Sequence, residues 1–448
     1  MKSPASAKRK PAVYSRSEAA RPGPLAAHRT KVLLVSHFHP ELMRGGAQQS
    51  CYELFLGLSA EADIQAFFLA ATGPAGDPAL YKPGARITGF DGRNNEFIFL
   101  TADYDFVWHR TTSRHHVEAY AELLETIQPD IVHFQHFMFL GVDFLSLTRS
   151  VLPDCRIVLT FHDYHTMCSA RGHMVRWTDG SLCSQPSPVR CHQCMPERTP
   201  DHFMVRKMWF MRHLKVVDRF ACACRFQIDH HVAWGIDRSK IFYVRNGQLN
   251  RAPTILPPTS QGPRNRFGFF GQYVDAKGVH IVLRAVQILR SQGFTDFMVE
   301  LNGDNIQHAT QAVRKEIEEF LAKEDELMPS ERNVINNGSY QVENIGDRML
   351  RIDWSLVPST WWESFGLVIS EAWMFKRPVI CSNIGGMAER IENEINGLHF
   401  QVSDPRALAA VIRRACTEVG LWERLSAAAP EPPSREEVVK GYRALYEG

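Results

Sequence analysis

No stretch of the 448-residue chain approaches the ~18–20 consecutive apolar residues that a membrane-spanning helix needs. The first 30 residues hold no apolar core of the kind a secretory signal carries. Net charge is only +2, so the chain as a whole gives no argument for a polyanionic partner, and no nucleic-acid ligand is expected. No short-period repeat is visible, which sets aside solenoids and propellers. What is present is an ordinary globular balance, 44% hydrophobic and 22% charged residues. The length allows two or three domains with sizeable cores. The expected setting is cytoplasmic, with peripheral contact to the inner face of a membrane as an added expectation.

Charge is uneven along the chain. Lys2, Lys8, Arg9, Lys10, Arg16, Arg21, Arg29 and Lys31 face a single acid, Glu18. Residues 1–30 are also rich in Ala, Ser and Pro and read as a disordered basic tail. Ten cysteines are present. A cytoplasmic setting keeps them mostly reduced. Cys51, Cys155, Cys381 and Cys416 stand singly among apolar residues and read as core fillers.

Strands and helices alternate. Lys31–Ser36 is a short apolar run of the kind found in buried parallel strands, followed by a loop, Gly45-Gly46, and a helical pattern to Leu58. Asp130–Phe134, Arg156–Phe161 and a segment within 237–247 read as further strands of this domain, 31–248. Residues 249–265 are dense in proline and polar residues and read as a linker. A second strand-helix domain, 266–428, carries strand candidates at Arg266–Phe270, Phe297–Leu301, Asn333–Asn337, Trp354–Pro358 and Pro378–Ser382. Such alternation implies α/β domains with parallel sheets. Residues 429–448 include a Ser-capped amphipathic helix.

Residues 358–400, PSTWWESFGLVISEAWMFKRPVICSNIGGMAERIENEINGLHF, carry the most chemistry. Glu363 and Glu371 are eight positions apart, with Ser364-Phe365-Gly366-Leu367 and an apolar helical run between them. A helix starting near Gly366 presents unpaired amides that suit a phosphate. Glu371, in its first turns, is placed to accept hydrogen bonds from sugar hydroxyls.

With Gly385-Gly386, Glu389 and Asn396-Gly397 following in order, this region resembles the E-x7-E region of GT4-type retaining glycosyltransferases of the GT-B fold. The resemblance runs from Lys31 to about Tyr446. It implies two doubly wound, Rossmann-like domains facing a cleft, with the last helix crossing back to the first domain. It implies that Glu363 lies against the donor sugar and Glu371 binds the nucleotide ribose. Gly45 and Gly46 would lie beside the donor phosphate. His162, after the strand ending at Phe161, would sit near the reacting sugar as a neutral imidazole, its tautomer fixed by Asp163. His133 and His136 are weaker candidates for acceptor contacts. In Gly271-Gln272-Tyr273-Val274-Asp275-Ala276-Lys277-Gly278, Lys277 matches a cation that neutralises the diphosphate. Gln272 stands where the family commonly has Arg, and a glutamine amide cannot offset charge. Arg245, Lys240 or Arg225 are candidates to supply the missing charge.

Cys168-x14-Cys183-x7-Cys191-x2-Cys194, within a Cys-rich insert at 165–200, fits a structural zinc knuckle, with His165, His173 and His192 as spare ligands. Free thiols, disulfides and an iron–sulfur cluster are the alternatives. Residues 202–220 form a basic, apolar helix that reads either as core or as a membrane-surface helix.

The function these residues imply is sugar transfer from a nucleotide-sugar donor to a glycan or lipid-linked hydroxyl. Anomeric configuration would be retained, no catalytic metal would be needed, and the setting would be polysaccharide or glycoconjugate biosynthesis. A non-catalytic scaffold of the same fold is the alternative, with a nucleotide-sugar epimerase behind it.

Overall fold

A computed structural model of the chain describes residues 29–73, 85–101, 103–246, 262–341 and 344–448. Residues 1–28 of the basic tail, and Gly247 with residues 249–261 of the linker region, lie outside them.

The first domain is built on eight strands. Edge to edge they are Ile241–Tyr243, Arg219–Cys222, Arg156–Phe161, Ile131–Phe134, Thr30–His37, Ile64–Thr72, Glu96–Leu100 and Ile87–Gly89. All neighbours pair parallel except the last two strands, which run antiparallel. Val32, Leu33, Leu34 and Val35 are each fully buried, because helices cover both faces of the sheet and leave no polar side for alternation. From the central strand Thr30–His37 the chain first builds outward through Ile64–Thr72, then returns to the other flank at Ile131–Phe134. That reversal opens a crevice at the strand's C-terminal end, where ligands bind in sheets of this kind.

The second domain has six parallel strands in the order Val334–Asn336, Met298–Asn302, Arg266–Phe270, Trp354–Val357, Val379–Ser382 and Gly397–Phe400. Arg266–Phe270 is its switch strand, flanked by the second and fourth in that order. Strands Ile64–Thr72, Glu96–Leu100, Arg219–Cys222 and Gly397–Phe400 went unread in the sequence. Alanines in IQAFFLAAT carry little strand preference, and four-residue strands leave little periodicity to detect.

The last helix, Arg435–Glu447, starts with a Ser434/Glu437 capping box. It packs on the first domain, not the second. Val438, Val439, Tyr442, Leu445 and Tyr446 join the core under Val32 and Leu34. Arg435 meets Glu53 at 2.6 Å, and Arg443 meets Glu61 at 2.6 Å and Asp63 at 2.8 Å. Gly57 lets the helix close in, since a Cβ there would lie 2.5 Å from Val439 Cγ2. Helix Pro200–Leu214 buries Phe203, Phe210 and Leu214. Met204, Val205 and Met208 on its other side are exposed. Among the described residues no helix is long and apolar enough to cross a membrane.

Candidate active site

Between the C-terminal ends of the two sheets lies a cleft of about 450 Å3. Gly45, Gly46 and His162 border it from the first domain. Gln272, Lys277, Glu363, Ser364, Phe365, Gly366, Leu367 and Glu371 border it from the second. The structure thus gathers these expected catalytic and donor-binding residues into one cleft, from segments more than three hundred positions apart.

Glu363 follows the loop after strand Trp354–Val357. Its Oε2 accepts hydrogen bonds from Lys277 Nζ at 2.6 Å, Trp361 Nε1 at 3.1 Å and Ser359 Oγ at 3.3 Å. The carboxylate is buried, and each of these donors lowers the cost of keeping it charged. The Gly386 amide donates to the Glu363 carbonyl at 2.7 Å. A Cβ on Gly386 would lie 2.1 Å from the Ser364 carbonyl oxygen, so only glycine allows this approach. Gly366, at φ 68°, is the left-handed N-cap of helix Leu367–Met374. Arg390, which sequence reading did not single out, clamps this turn. Its Nη1 donates to the Phe365 and Gly366 carbonyls at 2.8 and 3.0 Å, and its guanidinium lies 3.7 Å over the Phe365 ring. Nothing in the residue type signals this, because the clamp depends on where the chain returns after the strand Val379–Ser382.

Glu371 is the contrast to Glu363. Its side chain borders the cleft and accepts no hydrogen bond among the described residues. Burial pushes its pKa up to about 7.

Across the cleft, Gly45 caps helix Gly46–Ser59, and a Cβ at Gly45 would collide with Gln48 Oε1 at 2.3 Å. A Cβ at Gly46 would stand 3.5 Å from Leu367 Cδ1, so the two domains nearly touch here. His162 is buried, and its Nε2 donates to Gln135 Oε1 at 2.7 Å. The Gln135 amide donates onward to His133 Nε2 at 3.1 Å, and His133 Nδ1 pairs with Tyr446 OH at 2.7 Å. Burial first, and the neighbouring His136 second, lower the His162 pKa to about 4, so the ring is neutral at pH 7. Two expectations are corrected here. Gln135, not Asp163, orients His162; Asp163 Oδ2 instead pairs with His136 Nε2 at 2.8 Å. His133 and His136 face the interior, not the cleft, His133 from its strand and His136 through its bond to Asp163.

Gln272 is exposed on the rim. None of Arg245, Lys240 and Arg225 borders the cleft. Lys240 Nζ donates to the Val217 carbonyl at 3.0 Å, and the Arg225 guanidinium sits 5.9 Å over the Tyr243 ring. Among the described residues, the Lys and Arg cations that do border it, with Lys277, are Arg44 and Arg171.

Among the described residues, four hydrogen bonds through Ser364, Trp362 and Glu389 join the domains beside the site. Ser364 Oγ donates to the His162 carbonyl at 2.8 Å, and Trp362 Nε1 to the Cys183 carbonyl at 3.0 Å. The Glu389 carboxylate accepts from the Arg225 and Phe226 amides, each at 2.9 Å. It thereby caps helix Arg225–Trp234 at the end where a negative charge is favourable.

The four cysteines of the insert, Cys168, Cys183, Cys191 and Cys194, line a cavity of about 240 Å3. Among the described residues no group of three or more His, Cys, Asp or Glu is arranged to hold a metal ion, so the zinc expectation gains no support. The thiols make local contacts. Cys168 and Cys183 donate to the Ala170 and Gln185 carbonyls at 3.6 Å, and Cys194 Sγ accepts from the Trp177 amide at 3.3 Å. Burial pushes Cys168 and Cys191 up to about 11, keeping both protonated at pH 7. None of the ten cysteines forms a disulfide.

Residues 44–247 match the model of glycosyltransferase family 4, and residues 257–431 match that of glycosyl transferases group 1. Glycogen synthase of Mycobacterium tuberculosis is 22% identical over 411 residues, 89% of each chain. An uncharacterized glycosyltransferase of Methanocaldococcus jannaschii is 27% identical over 236 residues, 51% of this chain and 59% of its own length. Among solved structures, Anabaena HepE in complex with UDP and glucose matches with a TM-score of 0.61 at 14% identity, covering 94% of this chain and 100% of that one. Sucrose-phosphate synthase from Thermosynechococcus elongatus gives a TM-score of 0.64 at 17% identity, over 93% and 96% of the two chains. The architecture is the GT-B fold.

Proposed function

We propose, for a chain that carries a glycosyltransferase family 4 domain followed by a glycosyl transferases group 1 domain, that the cleft moves a sugar from a nucleotide-sugar donor to a hydroxyl of a glycan or lipid-linked acceptor, with retention of anomeric configuration. The observation that carries this reading is the pairing of unlike carboxylates on one turn and helix. Glu363 is held by three donors, Glu371 by none, and Gly366 with its helix tip lies between them.

Each group then has a task that its environment suits. Lys277 and the free amides at the start of helix Leu367–Met374 take the diphosphate. Glu371 accepts from the ribose hydroxyls, which supply the partners it lacks. Glu363 contacts hydroxyls of the donor sugar, and His162, neutral and fixed by Gln135, offers a hydrogen bond beside the anomeric carbon. Charge neutralisation falls to Lys277 and backbone amides, so the reading assigns no catalytic metal. Interdomain bonds through Ser364 and Trp362 help exclude water from the donor. A lipid-linked acceptor would bring the protein to a membrane as a peripheral partner.

A thermal-shift screen with UDP, GDP, ADP and their sugars tests this, because a ligand of the native state raises the melting temperature. UDP is the first to try, since the Anabaena neighbour is a complex with UDP and glucose. No shift with any of them sinks the donor reading. A shift without donor turnover would favour the scaffold alternative, and turnover to an isomeric nucleotide sugar would favour the epimerase.

A further inference from the structure

Past Arg171, His173 and Gln272 the donor cleft continues into a second cavity of about 960 Å3, and these three residues border both. The second cavity lies between the cysteine-rich segment and the loop that carries Gln272 and Lys277. Gln272 thus places a neutral side chain at the junction, and an exposed arginine, Arg171, is brought up to the same junction from the other domain. Arg171 has φ 59°, left-handed backbone that a long side chain adopts at a cost, and Gly172 follows at φ 67°. The turn is held from behind: the Tyr164 amide donates to the Gly172 carbonyl at 3.0 Å, and a Cβ on Gly172 would strike the His165 ring at 2.6 Å. The guanidinium stands 5.6 Å over Trp177 and forms no ion pair among the described residues. His173 links the two cations. Its ring lies 4.7 Å from that of Trp361, over which Lys277 Nζ sits at 5.6 Å. Both Lys277 and Arg171 disfavour the charged form of His173, after burial and against the pull of Asp163.

We propose that Arg171 is the second cation of the donor site, binding the terminal phosphate of the nucleoside diphosphate and supplying the charge that Gln272 does not. This rests on the donor reading above. In the transfer, the bond from the anomeric carbon to the phosphate oxygen breaks with its electron pair on that oxygen. The acceptor oxygen bonds the anomeric carbon, and its proton passes to the departing diphosphate. Negative charge therefore grows at the phosphate Arg171 faces, and a guanidinium there favours the transition state. The cysteine-rich segment becomes the carrier of a donor-site residue, placed in the first domain rather than the second.

Titration calorimetry on the full chain tests this with UDP, GDP and ADP, and then with the monophosphate of whichever base binds. Arg171→Gln is expected to weaken that diphosphate about tenfold or more while changing the monophosphate less than about threefold. Arg171→Lys, which keeps the charge, should retain most of the affinity, and adding Gln272→Arg to Arg171→Gln should recover most of what was lost. An unchanged melting temperature for the variants shows that the segment still folds. Unchanged diphosphate affinity in Arg171→Gln, or equal losses for mono- and diphosphate, overturns the assignment. Failure of the wild type to bind any of the three diphosphates overturns the donor reading and this assignment with it.

Discussion

The segment 363–371 and the cysteine-rich segment 165–200 meet at the cleft, with Trp362 Nε1 on the Cys183 carbonyl at 3.0 Å, yet they are held in opposite ways. Three donors fix Glu363, the Gly386 backbone seals against Ser364, and Arg390 ties two successive carbonyls. The cysteine-rich segment sends Met167 and Met174 into the first-domain core, but beyond them it has a small cluster of Ala170 and Met195 with Phe203 of the next helix, and thiols that bond their own neighbours. Trp177 and Val189 remain exposed on it. Local stability follows such differences in buried contact. One wall is tied by many buried bonds around a carboxylate; the other has fewer and leaves apolar side chains exposed.

The largest expected effect comes from Lys277→Ala. Losing the cation at the diphosphate should lower the rate of donor turnover by about 100-fold or more, measured as kcat on the nucleotide sugar. A change below about threefold would make its 2.6 Å contact with Glu363 purely structural. Next is Gly386→Ala, which forces a Cβ to 2.1 Å from a backbone oxygen. A loss of about 3 kcal/mol in urea unfolding is expected. Little or no loss would show that the 363–364 backbone yields, and the contrast between the two walls would fail.

Glu371→Ala should weaken nucleoside diphosphate binding by about tenfold, as lost charge-assisted bonds to ribose hydroxyls would require. Its titration adds a sign. Because burial raises the folded pKa to about 7, the ionised acceptor form grows as pH rises through 7, so affinity should rise over that range. In Glu371→Gln the pH dependence should flatten. For stability the direction reverses: the raised pKa contributes stability below the ordinary carboxylate range, and that contribution is lost as pH climbs to about 7. A flat binding profile in the wild type would place the ribose elsewhere.

The smallest effect belongs to the cysteines. Cys183→Ser and Cys194→Ser should each change stability by less than about 1 kcal/mol, and protein purified without added metal should carry no stoichiometric zinc. Stoichiometric zinc, or unfolding of either variant, would mean the thiols close on an ion, and the segment would rank as the more rigid wall.

How far the sequence could be read divides along the same line. The turn and helix at 363–371 were legible because glycine, an apolar run and two acids act within one turn of each other. The strands Lys31–Ser36 and Arg266–Phe270 were legible because burial on both faces leaves continuous apolar runs. His162 was legible as a residue after a strand, but its partner was not, because Gln135 is 27 positions away, just past the end of the neighbouring strand Ile131–Phe134. The cysteine spacing suggested a shared ion; among the described residues no ligand group is arranged for one, because spacing over loops does not fix where sulfurs point.

By itself the sequence determined two parallel-sheet domains and a carboxylate-glycine-helix element, since neighbouring residues set backbone geometry and burial pattern. Only the tertiary structure decided which cations face the cleft, what orients His162 and that Arg390 clamps the Gly366 turn. Those contacts form between segments whose relative position depends on the closed chain as a whole.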